Sequence, residues 1–313
     1  MDDGHALVIG SAGIDIKGRP WQEVEWGVPN LGRVRNSVGG VARNIAENLA
    51  RLEVPTVLLT AVGKDSEARR LLNVCRKAGI DCDNVLEVED QRTGTFMALL
   101  KPDGQLHVAV SDFEIISHIT PDYLHDHEHL FKDAAIVIID ATLSDESLEV
   151  VFELASLYKV RVAADPTTPV LASKLCPYLD HLYLVVPNAI ETSALCGQND
   201  PVTQQEEAMA RAREFVSLGV KIAVVTLGAK GLAYAHSGGG GFIGAINTKV
   251  IDSTGAGDAF SGATIFGLLN GVNIDEAMRL GITAASLTLQ SQRTVLRSLT
   301  QEKLYAKLMV SGY

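Results

Sequence analysis

The residues with the clearest chemical potential are residues 252–258, which read Asp-Ser-Thr-Gly-Ala-Gly-Asp. The apolar stretch 259–269 follows at once and predicts that this run opens a buried helix. Small residues let backbone amides converge on an anion, and a helix N-terminus adds partial positive charge. An anion site beside the Asp258 carboxylate suits phosphoryl transfer to an alcohol, because the carboxylate can accept the hydroxyl proton. Taken alone, Asp258 could instead only complement the helix dipole.

Two further short runs could contact a ligand. Residues 39–44, Gly-Gly-Val-Ala-Arg-Asn, precede a stretch with helical spacing of apolar residues. Taken alone, a glycine pair there would indicate only a turn before a helix. Residues 187–191, Pro-Asn-Ala-Ile-Glu, follow a strand, and Asn188 and Glu191 share one helix face because they lie three residues apart. The same spacing fits a capping box, which is compatible with a role in binding.

The three runs together resemble the ribokinase-like (PfkB) family of carbohydrate kinases. Residues 252–258 resemble its C-terminal signature, residues 39–44 its N-terminal glycine pair, and residues 187–191 its N-x-x-E element. The runs follow the family order, and the resemblance extends over essentially the whole chain. It implies an α/β fold, a ribokinase-like three-layer sandwich with a mostly parallel central sheet and a small β-sheet lid. The pattern G-x-x-x-x-G-K-[ST] is absent, so the chain does not resemble P-loop kinases.

The resemblance assigns roles to the C-terminal run. Asp258 would be the general base, and the amides of three residues would bind phosphate oxygens: Gly255, Ala256 and Gly257. Asp252 could hold a monovalent cation such as K⁺, with the carbonyl of Thr254 and with Ser291 completing the site. A hydrogen bond from Asp252 that orders the loop is the alternative.

The resemblance also predicts a site for the acceptor, with six candidate residues: Asp15, Gly39, Gly40, Arg43, Asn44 and Asp112. Asp15 follows the first strand, and its carboxylate would accept two vicinal hydroxyls. The glycine pair would let a hydroxyl approach the backbone, and Asn44 would bind a hydroxyl. Arg43 and Asp112 are placed by their order in the chain to meet polar groups of the substrate.

ATP and Mg²⁺ are the implied co-substrate and metal. Asn188 and Glu191 would organise Mg²⁺ largely through water, which this ion retains readily. Residues 226–231 resemble the family's T-x-G-x-x-G turn, and Thr226, Gly228 and Gly231 would line the nucleotide. That turn is a weak signal by itself, because any tight turn after a strand favours glycine.

Several segments narrow the resemblance to one branch of the family. Residues 39–50 resemble the bacterial pseudouridine kinases, with Arg43 where most family members have a small residue. Residues 111–113 and 119–124 also resemble the bacterial pseudouridine kinases. This branch implies ATP-dependent phosphorylation of the 5′-hydroxyl of pseudouridine. A kinase of ribose, fructose or a purine nucleoside is the first alternative, and a nucleotide-binding regulator without turnover is the second.

Alternating apolar and amphipathic stretches predict the elements that position these residues. Six buried strands are expected at Ala6–Ile9, Thr56–Val62, Ala135–Asp140, Arg161–Asp165, Leu182–Val186 and Lys221–Thr226. Helices are expected at 41–53, 65–78, 146–157, 203–218, 256–270 and 274–289. This alternation indicates a parallel sheet covered on both faces, and ligands of such sheets bind beyond the carboxyl ends of the strands.

Two segments break the alternation and predict the lid. Residues 12–36 lack a helical period, and residues 84–112 alternate as strands around a turn at 102–104. We expect one kinase domain over residues 1–313 with this lid inserted, and the resemblance suggests a homodimer formed through it. The glycines at 238–241 suggest a hairpin tip.

Composition limits the function classes. The formal net charge is −11, and the sequence shows no basic face of the kind that nucleic-acid binding needs. We therefore expect a small-molecule substrate and no nucleic-acid partner. There is no apolar run of about 18 residues, so no membrane span is expected. The first five residues are unlike a signal peptide, and the cysteines (Cys75, Cys82, Cys176, Cys196) lack metal-site spacing. We therefore expect a cytoplasmic protein with reduced thiols. His125, His127 and His129 suggest a solvated helix rather than a metal site.

Overall fold

The computed structural model describes residues 4–198 and 200–310. Residues 1–3, which belong to the start that we interpret as unlike a signal peptide, lie outside this part. The strands are β1 (His5–Ile9), β2 (Gly13–Pro20), β3 (Gly32–Gly39), β4 (Thr56–Leu59), β5 (Ala61–Gly63), β6 (Ile80–Asp81), β7 (Leu86–Val88), β8 (Gly94–Leu100), β9 (Leu106–Asp112), β10 (Ala134–Asp140), β11 (Val162–Asp165), β12 (Leu182–Val185), β13 (Ile222–Thr226), β14 (Leu232–His236) and β15 (Gly239–Ile243).

The helices include all six that the periodicity predicts, with small shifts at their ends. They are α1 (Val41–Arg51), α2 (Ser66–Ala78), α3 (Pro121–Asp126), α4 (Glu128–Lys132), α5 (Asp145–Tyr158), α6 (Pro169–Ala172), α7 (Ala189–Leu195), α8 (Gln205–Ser217), α9 (Ala256–Leu269), α10 (Ile274–Leu289) and α11 (Gln301–Val310). Three 3₁₀ helices lie at Glu114–His118, Ser173–His181 and Gly228–Lys230.

The central sheet has nine strands in the order β15-β14-β13-β12-β11-β10-β1-β4-β6. Strands β13 to β6 in this order run parallel, and β14 and β15 add an antiparallel edge. Two apolar clusters cover its faces. One contains residues of α1, α2, α9, α10 and α11, and the other contains residues of α3, α4, α5, α7 and α8. The predicted three-layer sandwich is thus confirmed.

The lid is a separate four-stranded sheet in the order β3-β2-β8-β9. It is formed by the two segments that interrupt the alternation of strands and helices, as predicted. However, β7 lies within the predicted lid segment 84–112 and pairs with β5 in a third, two-stranded sheet. The lid therefore uses only the later part of that segment.

Three local predictions differ from the structure in detail. The strand expected at 56–62 is broken at Thr60, because β4 joins the central sheet while β5 pairs with β7. Gly239 to Gly241 lie in the edge strand β15, so the hairpin tip is confined to residues 237–238. The helix expected around the three histidines is interrupted at His127, where α3 ends and α4 begins.

Candidate active site

The ends of β1 and β10 are tied to the start of α1 by the buried Asp140. One carboxylate oxygen of Asp140 accepts hydrogen bonds from the amides of Ser11 (2.8 Å) and Ala42 (3.1 Å). The hydroxyl of Ser11 accepts the amide of Val41 at 3.0 Å. The first amides of α1 are therefore satisfied by β1 and β10, which fixes the helix over the carboxyl edge of the sheet.

The glycine pair makes two close backbone approaches possible. Gly40 has φ 94°, and a Cβ there would lie 2.5 Å from the carbonyl oxygen of Ser11. A Cβ at Gly39 would lie 2.1 Å from a carboxylate oxygen of Asp15. Any larger residue at either position would push the helix start away from β1 or displace Asp15. The structure thus brings Asp15 and the glycine pair together, as predicted.

Asp15 is a buried carboxylate, with only 5% of the residue exposed. Burial raises the pKa of Asp15 to about 6, although the charges of Lys17 and Arg43 act in the opposite direction. A carboxylate in this setting is costly to keep charged without a partner. Substrate hydroxyls could supply hydrogen bonds that stabilise the charged form.

Asp258 lies at the start of α9 and is held by a side chain from α1. The amide nitrogen of Asn44 donates a 2.7 Å hydrogen bond to Oδ2 of Asp258. Burial raises the pKa of Asp258 to about 7, while the Asn44 hydrogen bond and the Arg43 charge oppose this rise. The residue stays partly exposed, so a ligand can reach it. A carboxyl group that titrates near neutral pH is suited to general-base catalysis.

Arg43 is held in the protein interior by several hydrogen bonds. Its side chain is fully buried and donates hydrogen bonds to the Gly39 carbonyl (3.2 Å), to Glu47 and to the Asn44 side-chain oxygen. It also reaches the Thr294 hydroxyl at 3.2 Å. Glu47, one helical turn along α1, draws the guanidinium inward, and a contact between Arg43 and the substrate stays a prediction. Arg43 orients Asn44, whose nitrogen then faces Asp258.

The predicted anion loop begins α9 with a left-handed glycine. Gly255 has φ 81°, and a Cβ there would lie 1.9 Å from the Thr294 carbonyl oxygen. The space around a Cβ at Gly257 is open. The first amides of a helix lack carbonyl partners within the helix, so the amides after Gly255 can bind an anion beside Asp258.

Two of the predicted cation-site residues, Asp252 and Thr254, contact the lid. The ammonium group of Lys17, on β2, lies 2.9 and 3.1 Å from the carboxylate oxygens of Asp252 and also donates to the Thr254 hydroxyl. The Ser291 hydroxyl accepts the amide of Arg293 at 3.0 Å. Partial burial acts to raise the pKa of Asp252, but the Thr254 amide and the Lys17 ammonium hold it below its usual range.

Asn188 and Glu191 form the capping box of α7. The side-chain oxygen of Asn188 accepts the amides of Ile190 (2.9 Å) and Glu191 (3.0 Å), and Glu191 accepts the amide of Asn188 at 2.8 Å. Burial raises the pKa of Glu191, and hydrogen bonds from Asn188 oppose the rise. The capping role is therefore present, and it leaves Glu191 as a buried acid that a cation would stabilise.

Thr226 and the two glycines of the turn lie next to this cap. Asn188 and Thr226 form a parallel bridge between neighbouring segments, with the Thr226 amide bound to the Pro187 carbonyl at 2.9 Å. Gly228 has φ 56° and faces open space, whereas a Cβ at Gly231 would lie 2.0 Å from the Ile243 carbonyl oxygen. Gly228 can therefore admit a ligand, while Gly231 is required for packing against β15.

Asp165, at the end of β11, is a further acid of the site that sequence reasoning missed. Burial raises the pKa of Asp165 well above its usual range, and the charges of Glu191 and Asp258 add to this rise. The charges of both groups therefore act on Asp165, which pairs in register with Asp140 on the neighbouring strand. One signal was available, since Asp165 and Asp140 both end predicted parallel strands, where ligands of such sheets collect.

Asp112 is not brought to Asp15. On the lid, Asp15 pairs with Phe96, which pairs in turn with Ser111. Asp112 pairs with Thr95 in the neighbouring row. Because successive residues of a strand point to opposite faces, Asp112 lies on the face away from Asp15. Ser111 and Phe96 share the Asp15 face instead.

Among the described residues, no set of three or more histidine, cysteine or acidic side chains could hold a metal ion. No described helix is long and apolar enough to cross a membrane. The four cysteines are free thiols, as predicted.

Comparison with known proteins identifies the family. The model of the pfkB family carbohydrate kinases matches residues 4–301. The chain is 31% identical to pseudouridine kinase of Escherichia coli (strain K12), covering 93% of this chain and 92% of that protein. It is 26% identical to guanosine-inosine kinase of Exiguobacterium acetylicum, covering 91% and 94%.

A solved structure supports the same assignment. Arabidopsis thaliana ribokinase, complexed with ribose and ATP, superposes with a TM-score of 0.81 at 25% identity, covering 97% of this chain and 98% of that one. Fold, family match and sequence identity agree over nearly the full length. The chain therefore belongs to the pfkB family of carbohydrate kinases and is a phosphotransferase with an alcohol acceptor.

Proposed function

We propose that the protein transfers the γ-phosphoryl group of ATP to the 5′-hydroxyl of pseudouridine. The observation that carries the chemistry is the Asp258 carboxylate, held 2.7 Å from Asn44 at the start of α9 beside the anion loop. The choice of acceptor is supported by the 31% identity to pseudouridine kinase of Escherichia coli over nearly the whole chain. The choice of ATP is supported by the similarity to ribokinase complexed with ribose and ATP.

In the proposed mechanism, Asp15 binds hydroxyls of the ribose ring and so directs the 5′-oxygen toward Asp258. Asp258 accepts the proton of this hydroxyl as the oxygen bonds to the γ-phosphorus, and the bond to the bridging oxygen of ADP breaks. Amides at the start of α9, after Gly255, stabilise charge on the transferred group. Closure of the lid excludes water, which favours transfer to the hydroxyl over hydrolysis of ATP.

The nucleotide would bind on the side of Asn188, Thr226 and Gly228. Glu191 is buried and Asp165 is half-buried. We expect these two acids to support a magnesium ion, because burial raises the pKa of each and a shared cation would stabilise their charged forms. Magnesium keeps several of its waters, so two protein acids suffice. When bound, this ion would neutralise negative charge on the phosphates.

A homodimer formed through the lid is part of the proposal. Apolar side chains on the lid face away from Asp15 are strongly exposed: Val34 (73%), Met97 (54%), Val108 (48%) and Val110 (66%). An exposed apolar sheet face of this kind is typical of an interaction surface. Light scattering gives the molar mass of the wild type, expected to be a dimer, and of Val110→Lys, expected to be a monomer. A monomeric wild type at micromolar concentration would refute this part of the proposal.

A substrate panel tests the proposed acceptor. Pseudouridine, uridine, inosine, adenosine, ribose and fructose are compared by ADP release under excess Mg-ATP. Pseudouridine carries an additional ring N–H compared with uridine, and a site that binds this group can discriminate by up to about 10⁴-fold. We expect the highest kcat/KM for pseudouridine. A higher value for inosine, adenosine or ribose would reject pseudouridine and leave the kinase mechanism standing.

A further inference from the structure

Lys17 is a lid residue that reaches the anion loop. It follows Asp15 by two residues on β2, so both side chains lie on the same face of the lid. Its ammonium group contacts both carboxylate oxygens of Asp252 and the hydroxyl of Thr254. The side chains of Lys17 and Asp252 are only 12% and 25% exposed. This ion pair is therefore partly shielded and connects the lid to the loop that carries Asp258.

Asp252 and Thr254 are two of the three residues that the family resemblance assigns to a monovalent cation, which would bind Thr254 through its carbonyl and not through the hydroxyl that Lys17 contacts. Oδ1 of Asp252 already accepts the Thr254 amide at 2.9 Å, and both of its carboxylate oxygens also contact Lys17. The Ser291 hydroxyl accepts the Arg293 amide. A second cation at Asp252 would lie beside the Lys17 ammonium and be repelled by it. The donor set thus does not fit an additional alkali cation.

We propose that the Lys17 ammonium takes the place of the monovalent cation, so that phosphoryl transfer needs no added alkali ion. Because this positive charge belongs to a lid residue, the ion pair also connects the lid to the anion loop. Because Asp252 and Thr254 lie within the three residues before Gly255, the ion pair holds the anion loop while the lid is closed. Lys17 is in this sense a positioning residue. The inference rests on the kinase activity and not on the choice of pseudouridine.

The first test compares KCl with tetramethylammonium chloride at equal ionic strength, using the best acceptor of the panel. We expect the wild type to change by less than about twofold, because its site already carries a cation. For Lys17→Ala we expect kcat to fall about tenfold to a hundredfold with little change in the acceptor KM, and KCl to restore part of the rate. Lys17→Arg should retain most of the wild-type rate.

A matched control is Lys64→Ala, which removes a surface ion pair with Glu89 whose side chains are 61% and 73% exposed. Exposed pairs contribute little, so this variant should behave as the wild type in both salts. A wild-type rate that rises tenfold or more in KCl would overturn the proposal. A Lys17→Ala rate equal to that of Lys64→Ala would overturn it as well.

A second measurement does not depend on turnover. A ligand that binds only the folded protein raises its melting temperature, so KCl should stabilise Lys17→Ala relative to tetramethylammonium chloride and leave the wild type unchanged. Equal responses of the two proteins would contradict the proposal. Because the melting temperature does not depend on turnover, this measurement can reject the role of Lys17 even if the proposed reaction is correct.

Discussion

The proposed acceptor side and the proposed nucleotide side of the site are built in different ways. The proposed acceptor side relies on buried charged and amide side chains, with Asp15, Arg43 and Asn44 arranged around Asp258. The proposed nucleotide side relies mainly on a capped helix and a glycine turn, where Asn188 and Gly228 are exposed and Glu191 is the buried acid. Interactions at buried charges are strong but depend on every partner, whereas backbone sites tolerate side-chain changes better.

The contrast predicts where substitutions act. Changes on the acceptor side should affect the chemical step and acceptor binding, and some should also affect the free energy of unfolding. Changes on the nucleotide side should act on Mg-ATP alone. The following substitutions would sharpen this distinction or abolish it.

Asp258→Asn should have the largest effect on rate. The amide keeps the shape and can still accept the Asn44 hydrogen bond, but it cannot take a proton. We expect kcat to fall by about 10²–10⁴-fold. The protein should be at least as stable as the wild type at pH 8, since a costly buried charge is removed. Single-turnover kinetics and thermal unfolding measure the two effects, and a near-normal kcat would refute the role of Asp258.

Arg43→Met should destabilise the fold as well as lower the rate. It removes one partner of the buried Glu47, and breaking such a pair costs about 3–5 kcal/mol. Arg51, which also binds Glu47, provides the control, because its side chain is 17% exposed and touches neither Asn44 nor Asp258 among the described contacts. Urea unfolding should show a smaller loss for Arg51→Met. Equal kcat values for the two variants would contradict the orientation of Asn44 by Arg43.

Asp15→Asn should weaken acceptor binding selectively. Loss of a charge-assisted hydrogen bond costs roughly 1.5–3 kcal/mol, which corresponds to a Kd increase of about tenfold to a hundredfold. Calorimetric titration with acceptor and with ATP separates the two ligands. Equal losses for both would count against a distinct acceptor side.

Glu191→Gln should give the smallest effect and act on the nucleotide side. Glutamine can still complete the capping box, so the start of α7 is preserved while the negative charge is lost. We expect the KM for Mg-ATP to rise by about tenfold, with the acceptor KM unchanged. A KM for Mg-ATP that stays at the wild-type value would leave Glu191 with a capping role alone.

The features that could be predicted from the sequence are local, and those that could not depend on residues distant in the chain. The glycine runs and long helices were predictable, because Gly40 and Gly255 adopt positive φ and helical periodicity is a local signal. The pairing of Arg43 with Glu47 is a local i,i+4 signal, whereas its contact with Thr294, which lies 251 residues away in the chain, was not predictable. Asp112 was misplaced because strand register, which decides the face of the lid, is set by pairing with β8.

The ion pair of Lys17 is a contact that the sequence did not predict. Nothing local in the sequence indicates that a lysine of the lid pairs with Asp252, which is 235 residues away. Asp165 could have been suggested by its place at a strand end, yet its interaction with Glu191 depends on the neighbouring strand order. The predicted roles of individual residues in binding stay predictions until the substitutions are made.

The pH dependence of kcat/KM tests the central claim most directly, because this ratio reports the ionisation of groups in the free enzyme. Burial raises the pKa of Asp258 to about 7, and only the charged form can accept the acceptor proton. The account predicts that kcat/KM rises with pH through an inflection near 7, and that Asp258→Asn removes this inflection. An inflection near pH 6 in that variant would report Asp15, whose pKa burial raises to about 6. A profile without an inflection near pH 7, or an inflection near 7 that persists in Asp258→Asn, would contradict the account.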